Sequence, residues 1–524
     1  MTGIDMKALE AAAEAIPTRF SGPGGVLGVA VEGRAVLGRA WGFADLDSRQ
    51  PMTAKTRLPL CSISKQFTCA ALLAACGAPE ALDDRLRAHL PRFEGKLPTV
   101  RDLCNNQSGL RDYWALTVLH GARAEQHFRR EDAAPVFARM KTGHFEPGAR
   151  YSYSNGNFRL LAEMIETETG EPIEALYARH IWAPAGMTGA ALTADTRSPV
   201  DGVTGYEGVD ATGYLPARNG VHWFGDAGIS ASLKDMLAYE CWIDAGRDDP
   251  AHLYRRIAAP QDFRDGNPAA YGFGLAHFSI AGARFTGHGG ALRGFRAFRL
   301  YSPDVRLSVV AMFNHQADAQ GATLALVRAA LGQGAPAPRP VAGSWSGQWI
   351  SRETGLLARL SPERSTVALR FGTSPEALTE TGDGRLGSAS VESGREGDAL
   401  VMRRPQENYQ ERLDPAPPVE RADGAEIAGR YHAAELEGEM VIEARDGGVY
   451  AWFEGFLGSG RPEIMRPAGE DLWIICTRRA LDAPAPGDWT LRVERGADGL
   501  VSGATLGCWL ARGIGYRRVG GGAA

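Results

Sequence analysis

Leu60-Cys61-Ser62-Ile63-Ser64-Lys65-Gln66-Phe67 sets a serine three residues ahead of a lysine, with an apolar run from 67 to 76 behind it. Residues three apart on a helix share a face. A helix beginning at Ser62 would stand its hydroxyl at the N-terminal end, where unpaired N–H groups and the dipole favour a developing negative charge. Lys65 would lie one turn along, within reach of that hydroxyl. A serine hydroxyl is a poor nucleophile until a neighbouring base takes its proton, and this spacing supplies such a neighbour. The tetrapeptide is common, and an N-cap serine with a surface lysine on the next turn reads from it equally well. Cys61 reads as a small apolar residue ending a strand rather than as a second nucleophile.

Outward from this stretch, segments 26–31 and 35–41 read as two strands joined at Glu32-Gly33-Arg34, after an amphipathic helix over 1–20 and a glycine-rich turn at 22–25. Gly77-Ala78-Pro79 closes the apolar helix. Short helices are expected near 82–86 and 99–103, a loop at 105–109, a turn at 145–148 and a helix over 157–169 ending at Gly170. Residues 225–230 lead into another helix through Trp242. From Tyr271 the period changes to strands, at 272–278, 284–287, 295–300 and 307–314, before a last helix over 317–331. Helices around an antiparallel sheet that both ends of the segment complete make an α/β domain over 1–334.

Residues 332–340 are a Gly/Pro linker, beyond which helix signals nearly vanish. A second Pro-rich break falls at 414–418. Val341-Ala342-Gly343-Ser344-Trp345 and Ile427-Ala428-Gly429-Arg430-Tyr431 are similar starts, so two all-β units are expected, at 341–414 and 419–524. Short alternating strands at this length suit small antiparallel β-barrels. Their aromatics (Trp345, Trp349, Tyr409, Tyr431, Phe453, Trp473 and others) fit barrel cores better than a ligand stack.

The 524 residues exceed one core at ~150 residues per domain. With 44% hydrophobic and 23% charged residues the composition is that of a soluble globular chain, and a net charge of -5 with no Lys/Arg cluster argues against nucleic acid. No run approaches a membrane span, and the first residues lack the pattern of a signal peptide. Seven Cys without CxxC spacing suggest reduced thiols and a cytoplasmic protein; the eleven His show no ligand spacing, so no metal is expected.

Two further motifs follow Ser-x-x-Lys in order: Tyr153-Ser154-Asn155 before a helix, and His288-Gly289-Gly290 between late strands. With the Ser-Gly-Leu loop in 105–112, the Pro-Gly…Tyr-Ser-Tyr-Ser-Asn segment in 145–155 and the glycine-rich entry at 226–235, residues 5–335 clearly resemble the serine β-lactamase-like hydrolases. This family takes in class C β-lactamases, DD-peptidases and related esterases.

The resemblance implies a catalytic set residue by residue. Ser62 would be acylated, Lys65 would share or accept its proton, and Tyr153 would hand a proton to the leaving amine. Asn155 would bond Lys65 and substrate. The oxyanion hole would use the N–H groups of Ser62 and of Ala291, after Gly289 and Gly290. His288 stands where relatives carry Lys, and Gly289 where they carry Thr, so a substrate carboxylate finds less pull here; a His is mostly neutral at pH ~7. That leaves an exopeptidase recognising an amino end, or an esterase, and His-Gly-Gly does not separate the two. The expected activity is a serine aminopeptidase releasing a small N-terminal D-residue from short peptides, amides or esters through an acyl-enzyme, with no cofactor; the D preference comes from the resemblance alone. An esterase or β-lactam hydrolase, or a non-hydrolytic penicillin-binding sensor, remain the alternatives. An amine needs an anion, and the long loop over 477–488 offers one: Asp482 is expected to reach the cleft. The expected partner is a small peptide or amide; a homodimer is compatible.

Overall fold

The computed structural model describes residues 3–334, 345–381, 383–477, 479–482 and 487–520. Its first part is built on an eight-stranded antiparallel sheet. Strands β1 (Gly24–Val31), β2 (Arg34–Asp45) and β3 (Gln50–Pro51) come from its beginning. Strands β4 (Tyr271–Gly272), β5 (Leu275–Ile280), β6 (Ala283–Leu292), β7 (Phe295–Ser302) and β8 (Leu307–Phe313) come from its end. The order is β4-β5-β6-β7-β8-β1-β2-β3, with Leu27 of β1 opposite Ala311 of β8, so both ends of the segment meet at the centre of the sheet.

Five helices do most of the covering: α1 (Met6–Arg19), α2 (Ser64–Ala75), α3 (Asn155–Thr169), α4 (Leu233–Ala245) and α5 (Ala319–Ala330). Successive strand side chains point to opposite faces. Val309 and Ala311 of β8 therefore join Leu9 and Ile16 of α1 and Leu326 of α5 in one core, while Val310 and Met312 join Phe67 and Leu72 of α2 and Met236 of α4 in another. A strand buried on both sides reads as a continuous apolar run, as β1 and β8 do.

Local signals set the element ends. Gly170 caps α3 in the left-handed conformation, φ 69°. Ser232 and Asp235 form a reciprocal capping box at the start of α4. Three ends differ from the sequence reading. Cys61–Ile63 form a separate 3-10 turn and α2 begins only at Ser64. Asn155 is the first residue of α3. His288, Gly289 and Gly290 lie inside β6, opposite Arg299, Phe298 and Ala297, because glycine lowers strand propensity but keeps both backbone groups for the ladder.

Two closed eight-stranded antiparallel barrels follow. The first runs from the strand Gly347–Ile350 to the strand Tyr409–Pro415 and closes with Trp349 opposite Pro415. Asp414 and Pro415 thus belong to a strand, not to the expected break; a proline is tolerated at a strand end, where its missing N–H leaves no central bond unmade. The second runs from Gly429–Ala433 to Ala511–Arg518, closes with Tyr431 opposite Arg518, and adds one short hairpin strand at Gly458–Ser459. Of the expected linker at 332–340, residues 335–340 lie outside the described residues, as does the start at 341–344. Trp345, Trp349 and Tyr409 fill the first barrel, and Tyr431, Phe453, Trp473 and Trp489 the second.

Candidate active site

Residues 64 to 73 of α2 are all buried, including four polar side chains. Burying them unpaired would cost a few kcal/mol each, so every one needs a partner. Ser64 accepts from the Ile229 N–H at 3.2 Å, Gln66 accepts from the Tyr239 hydroxyl at 3.2 Å, and Thr68 donates to Gly225 O at 2.6 Å. Lys65 spends its ammonium on three acceptors: Ser62 Oγ at 2.9 Å, Asn155 Oδ1 at 2.8 Å and the Asp226 carbonyl at 2.8 Å. The sequence placed this lysine one turn along from Ser62; the fold adds a complete set of acceptors.

Burial pushes Lys65 down from an ordinary lysine value to about 8, against the opposing pull of Asp226, Asp482 and Asp112. Tyr153 is hydrogen-bonded to Ser62, and burial lifts its phenol well above its ordinary value, so it stays protonated. The Lys65 ammonium lies 5.0 Å from the Tyr153 ring centre. Cys61 is fully buried with its thiol pushed up by that burial, which removes it as a nucleophile. Its backbone has φ 52°, a costly conformation for a residue with a side chain, held one position before Ser62.

Asn155 is oriented by a residue the sequence reading gave no role. Asp112 accepts from the Asn155 N–H at 2.6 Å and from its Nδ2 at 2.8 Å, which turns Oδ1 toward Lys65. The other Asp112 oxygen caps the helix Tyr113–Leu119 through the Trp114 N–H at 2.7 Å. Asp226, likewise unassigned from sequence, gives Lys65 its carbonyl and accepts from Tyr113 and Trp114 through its carboxylate. Both aspartates sit in the quoted flanking segments, but nothing in their spacing marks them.

His288 shows both ring nitrogens engaged within the protein. Nδ1 faces Gly289 O at 2.5 Å, an acceptor, so Nδ1 carries the hydrogen; Nε2 then accepts from the Tyr271 hydroxyl at 3.0 Å. Burial and Lys65 push the ring down to about 3, so it is neutral at physiological pH. Gly290 lets β6 approach the nucleophile turn: a Cβ there would stand 2.2 Å from Leu60 O and 3.1 Å from Cys61 Cβ. Gly289 is looser, with Phe298 at 3.1 Å from an added Cβ. Ala291 follows in the same strand, half-buried at the cleft.

Ser62, Tyr153, Asn155, His288–Ala291 and Asp482 line one cleft of about 690 Å³. Asp482 also acts electrostatically on Lys65, Tyr153 and Arg296. Both barrels reach this cleft. The first brings Gly372–Ser374 and the Arg404–Glu407 pair, and the second brings a further element unseen in the sequence, the turn Trp509-Leu510. Leu510 O accepts from the Asp112 N–H at 2.9 Å, and Trp509 packs into the core of the first barrel. Only the fold could reveal this, since a two-residue turn between barrel strands carries no signal of its destination. Among the described residues no cluster of His, Cys, Asp and Glu could hold a metal ion, and no helix is long and apolar enough to cross a membrane.

The pattern of the beta-lactamase family matches residues 9–333, and that of D-aminopeptidase, domain B, matches residues 339–517. A D-aminopeptidase of Cereibacter sphaeroides is 58% identical over 516 residues, covering 98% of this chain and 100% of that protein. A D-aminopeptidase of Brucella canis is 47% identical over 524 residues, covering 99% and 100%. Among solved structures, the octameric penicillin-binding protein homologue from Pyrococcus abyssi superposes with a TM-score of 0.54 at 18% identity, over 86% of this chain and 99% of that one. The D-amino acid amidase from Ochrobactrum anthropi SV3 does so with 0.52 at 20% identity, over 62% and 98%. At such identities these two structures speak for the fold.

Proposed function

We infer, for a chain that belongs to the D-aminopeptidases with a catalytic part of the beta-lactamase family, a serine aminopeptidase that releases N-terminal D-residues from short peptides, amides and esters. The observation that carries this is a carboxylate, Asp482, lining the same cleft as Ser62 and Tyr153, together with a histidine, His288, that stays neutral. An ammonium finds a partner there; a substrate carboxylate finds no cation at His288. The D preference rests on the relatives' names.

Neutral Lys65 takes the Ser62 hydroxyl proton while Oγ attacks the substrate carbonyl. The N–H groups of Ser62 and Ala291 hold the resulting oxyanion. As the intermediate collapses, the Tyr153 hydroxyl gives its proton to the leaving amine and is reprotonated from Lys65. Water then attacks the aminoacyl-Ser62 ester by the reverse path and frees the amino acid. Asn155, held by Asp112, keeps Lys65 aimed at Ser62. His288 is a neutral wall kept in place by Tyr271. The seven free thiols fit a cytoplasmic protein, and a homodimer remains compatible with the fold.

Side-by-side assays of D-alanyl and L-alanyl p-nitroanilide, nitrocefin and p-nitrophenyl acetate, with Ser62→Ala as control, test the reading. D-alanyl p-nitroanilide should be the preferred amide; turnover of nitrocefin alone would overturn it. Asp482→Asn should raise KM for the free-amine substrate by about tenfold, the size of one charge-assisted contact. Because Asp482 holds the Lys65 pKa up, its loss should also move the rising limb of the ester pH profile to lower pH. Equal KM changes for amine and neutral ester would refute the assignment.

A further inference from the structure

The segment that carries Asp482 is tied down by charged side chains from three other parts of the chain. Arg479 donates to Glu125 at 2.8 Å and to Glu207 at 2.5 Å. Arg293 lies 3.7 Å from each of the same two carboxylates and donates to Ala480 O at 2.5 Å. Arg461, from the second barrel, reaches Glu125 at 3.0 Å. Arg293 is 2% exposed, and its guanidinium also donates to Arg218 O at 2.9 Å. Ala480 and Leu481, between the clamped Arg479 and Asp482, are themselves buried.

The origin of each member matters more than the count. Arg293 stands in the turn between β6 and β7, two residues after Ala291. Glu207 is in the hairpin formed by Tyr206–Val209 and Gly213–Pro216, and Glu125 precedes Phe128, whose N–H bonds Gly220 O. One buried guanidinium thus joins the end of the oxyanion strand directly to the backbone of the Asp482 segment. A half-exposed ion pair such as Arg479–Glu125 adds little stability by itself. A buried cation is different, since it needs its carboxylates and carbonyls or it stands uncompensated. Selectivity at a site also requires the recognising group to be held to about half an ångström by its supporting shell.

We propose that Arg293, Arg479, Glu125 and Glu207 form a positioning clamp that sets the selectivity for free-amine substrates, by fixing Asp482 relative to the oxyanion strand. The proposal rests on the reading that Asp482 takes the substrate ammonium. With the clamp intact, an N-acylated substrate brings no ammonium to a carboxylate that is held in place. With it loosened, the carboxylate loses its aim, while the hydrogen bonds that hold Lys65 to Ser62, Asn155 and Asp226 remain.

Arg479→Gln and Arg479→Lys are the test variants, since Arg479 is partly exposed and its loss leaves the buried Arg293 with its carbonyl partners. Each is assayed on D-alanyl p-nitroanilide, N-acetyl-D-alanyl p-nitroanilide and p-nitrophenyl acetate, beside Asp482→Asn. The expected result for Arg479→Gln is a KM for the free amine raised about tenfold with kcat changed by less than about threefold, and a measurable gain on the N-acetyl substrate. Ester turnover should stay within about twofold, and Arg479→Lys should recover part of the loss because it keeps the charge without the fork. If Asp482→Asn raises KM for the amine and Arg479→Gln does not, the clamp is overturned and the Asp482 reading stands. If Asp482→Asn has no effect on the amine, that reading fails and the clamp with it. A parallel fall in ester and amine turnover would mean a merely structural role and would also overturn the clamp.

Discussion

Lys65→Met is expected to lower kcat/KM by about 10³- to 10⁴-fold on amide and ester substrates alike, near the upper range for removing a positioned general base. Methionine fills the channel but cannot accept the Ser62 proton. It also leaves Asn155 Oδ1 and the Asp226 carbonyl without their donor, so some thermal stability is lost, by about 1–3 kcal/mol for an unsatisfied buried group. A melting measurement at the assay temperature separates that loss from the catalytic one. The wild-type pH profile identifies the group. Lys65 is pushed down to about 8, so it is mostly protonated, and inactive as a base, on the acid side of that value and free above it. For a neutral ester, kcat/KM should rise toward pH ~8 and then level. For a D-alanyl amide, the substrate ammonium itself titrates near pH ~8, so the productive charge on the substrate fades just as the base appears, and the profile should be bell-shaped. His288, held neutral, and Tyr153, held protonated, add no limb between these. An ester profile that stays flat through this range would refute Lys65 as the base.

Gly290→Ala is expected to cost about 10²- to 10³-fold in kcat, the size of losing one oxyanion donor, and to do so equally for amines and esters. The added Cβ would stand 2.2 Å from Leu60 O, a backbone atom that cannot rotate away. Either β6 or the turn Cys61–Ile63 must move, and the N–H groups proposed for the oxyanion hole, those of Ser62 and Ala291, are then displaced. The turn has little slack, with Cys61 already at φ 52°. Gly289→Ala, where the neighbour at 3.1 Å is a Phe298 ring, should be far milder. Measuring kcat for both variants on both substrate classes tests this. Comparable losses in the two variants would show that strand separation is not what limits the site.

How much of the site is legible in the sequence depends on how local its chemistry is. Ser62 and Lys65 are one helical turn apart, so their spacing puts contact within reach, and the 3-10 turn at Cys61–Ile63 preserves it although α2 starts later than expected. Tyr153 and Asn155 are recognisable only as part of a family pattern. Asp112 and Asp226 were passed over because an aspartate in a loop looks the same whether it caps a helix, orients an amide or faces water. His288 was expected to be mostly neutral; its burial, and the bonds to Gly289 and Tyr271 that use both nitrogens, go further than any reading of residue type could.

The sequence by itself determined the parts: a sheet completed from both ends of the first 334 residues, a serine with a lysine one turn away, and two all-β units to follow. These follow from period, spacing and backbone freedom, which are properties of short segments. Only the tertiary structure decided what surrounds Ser62. It brought Asp112 to Asn155, Trp509-Leu510 to the mouth of the cleft, and Arg293 to the backbone beside Asp482, across 187 residues in the last case. Such contacts depend on how whole domains dock, and no local pattern of residues encodes the distance between two loops.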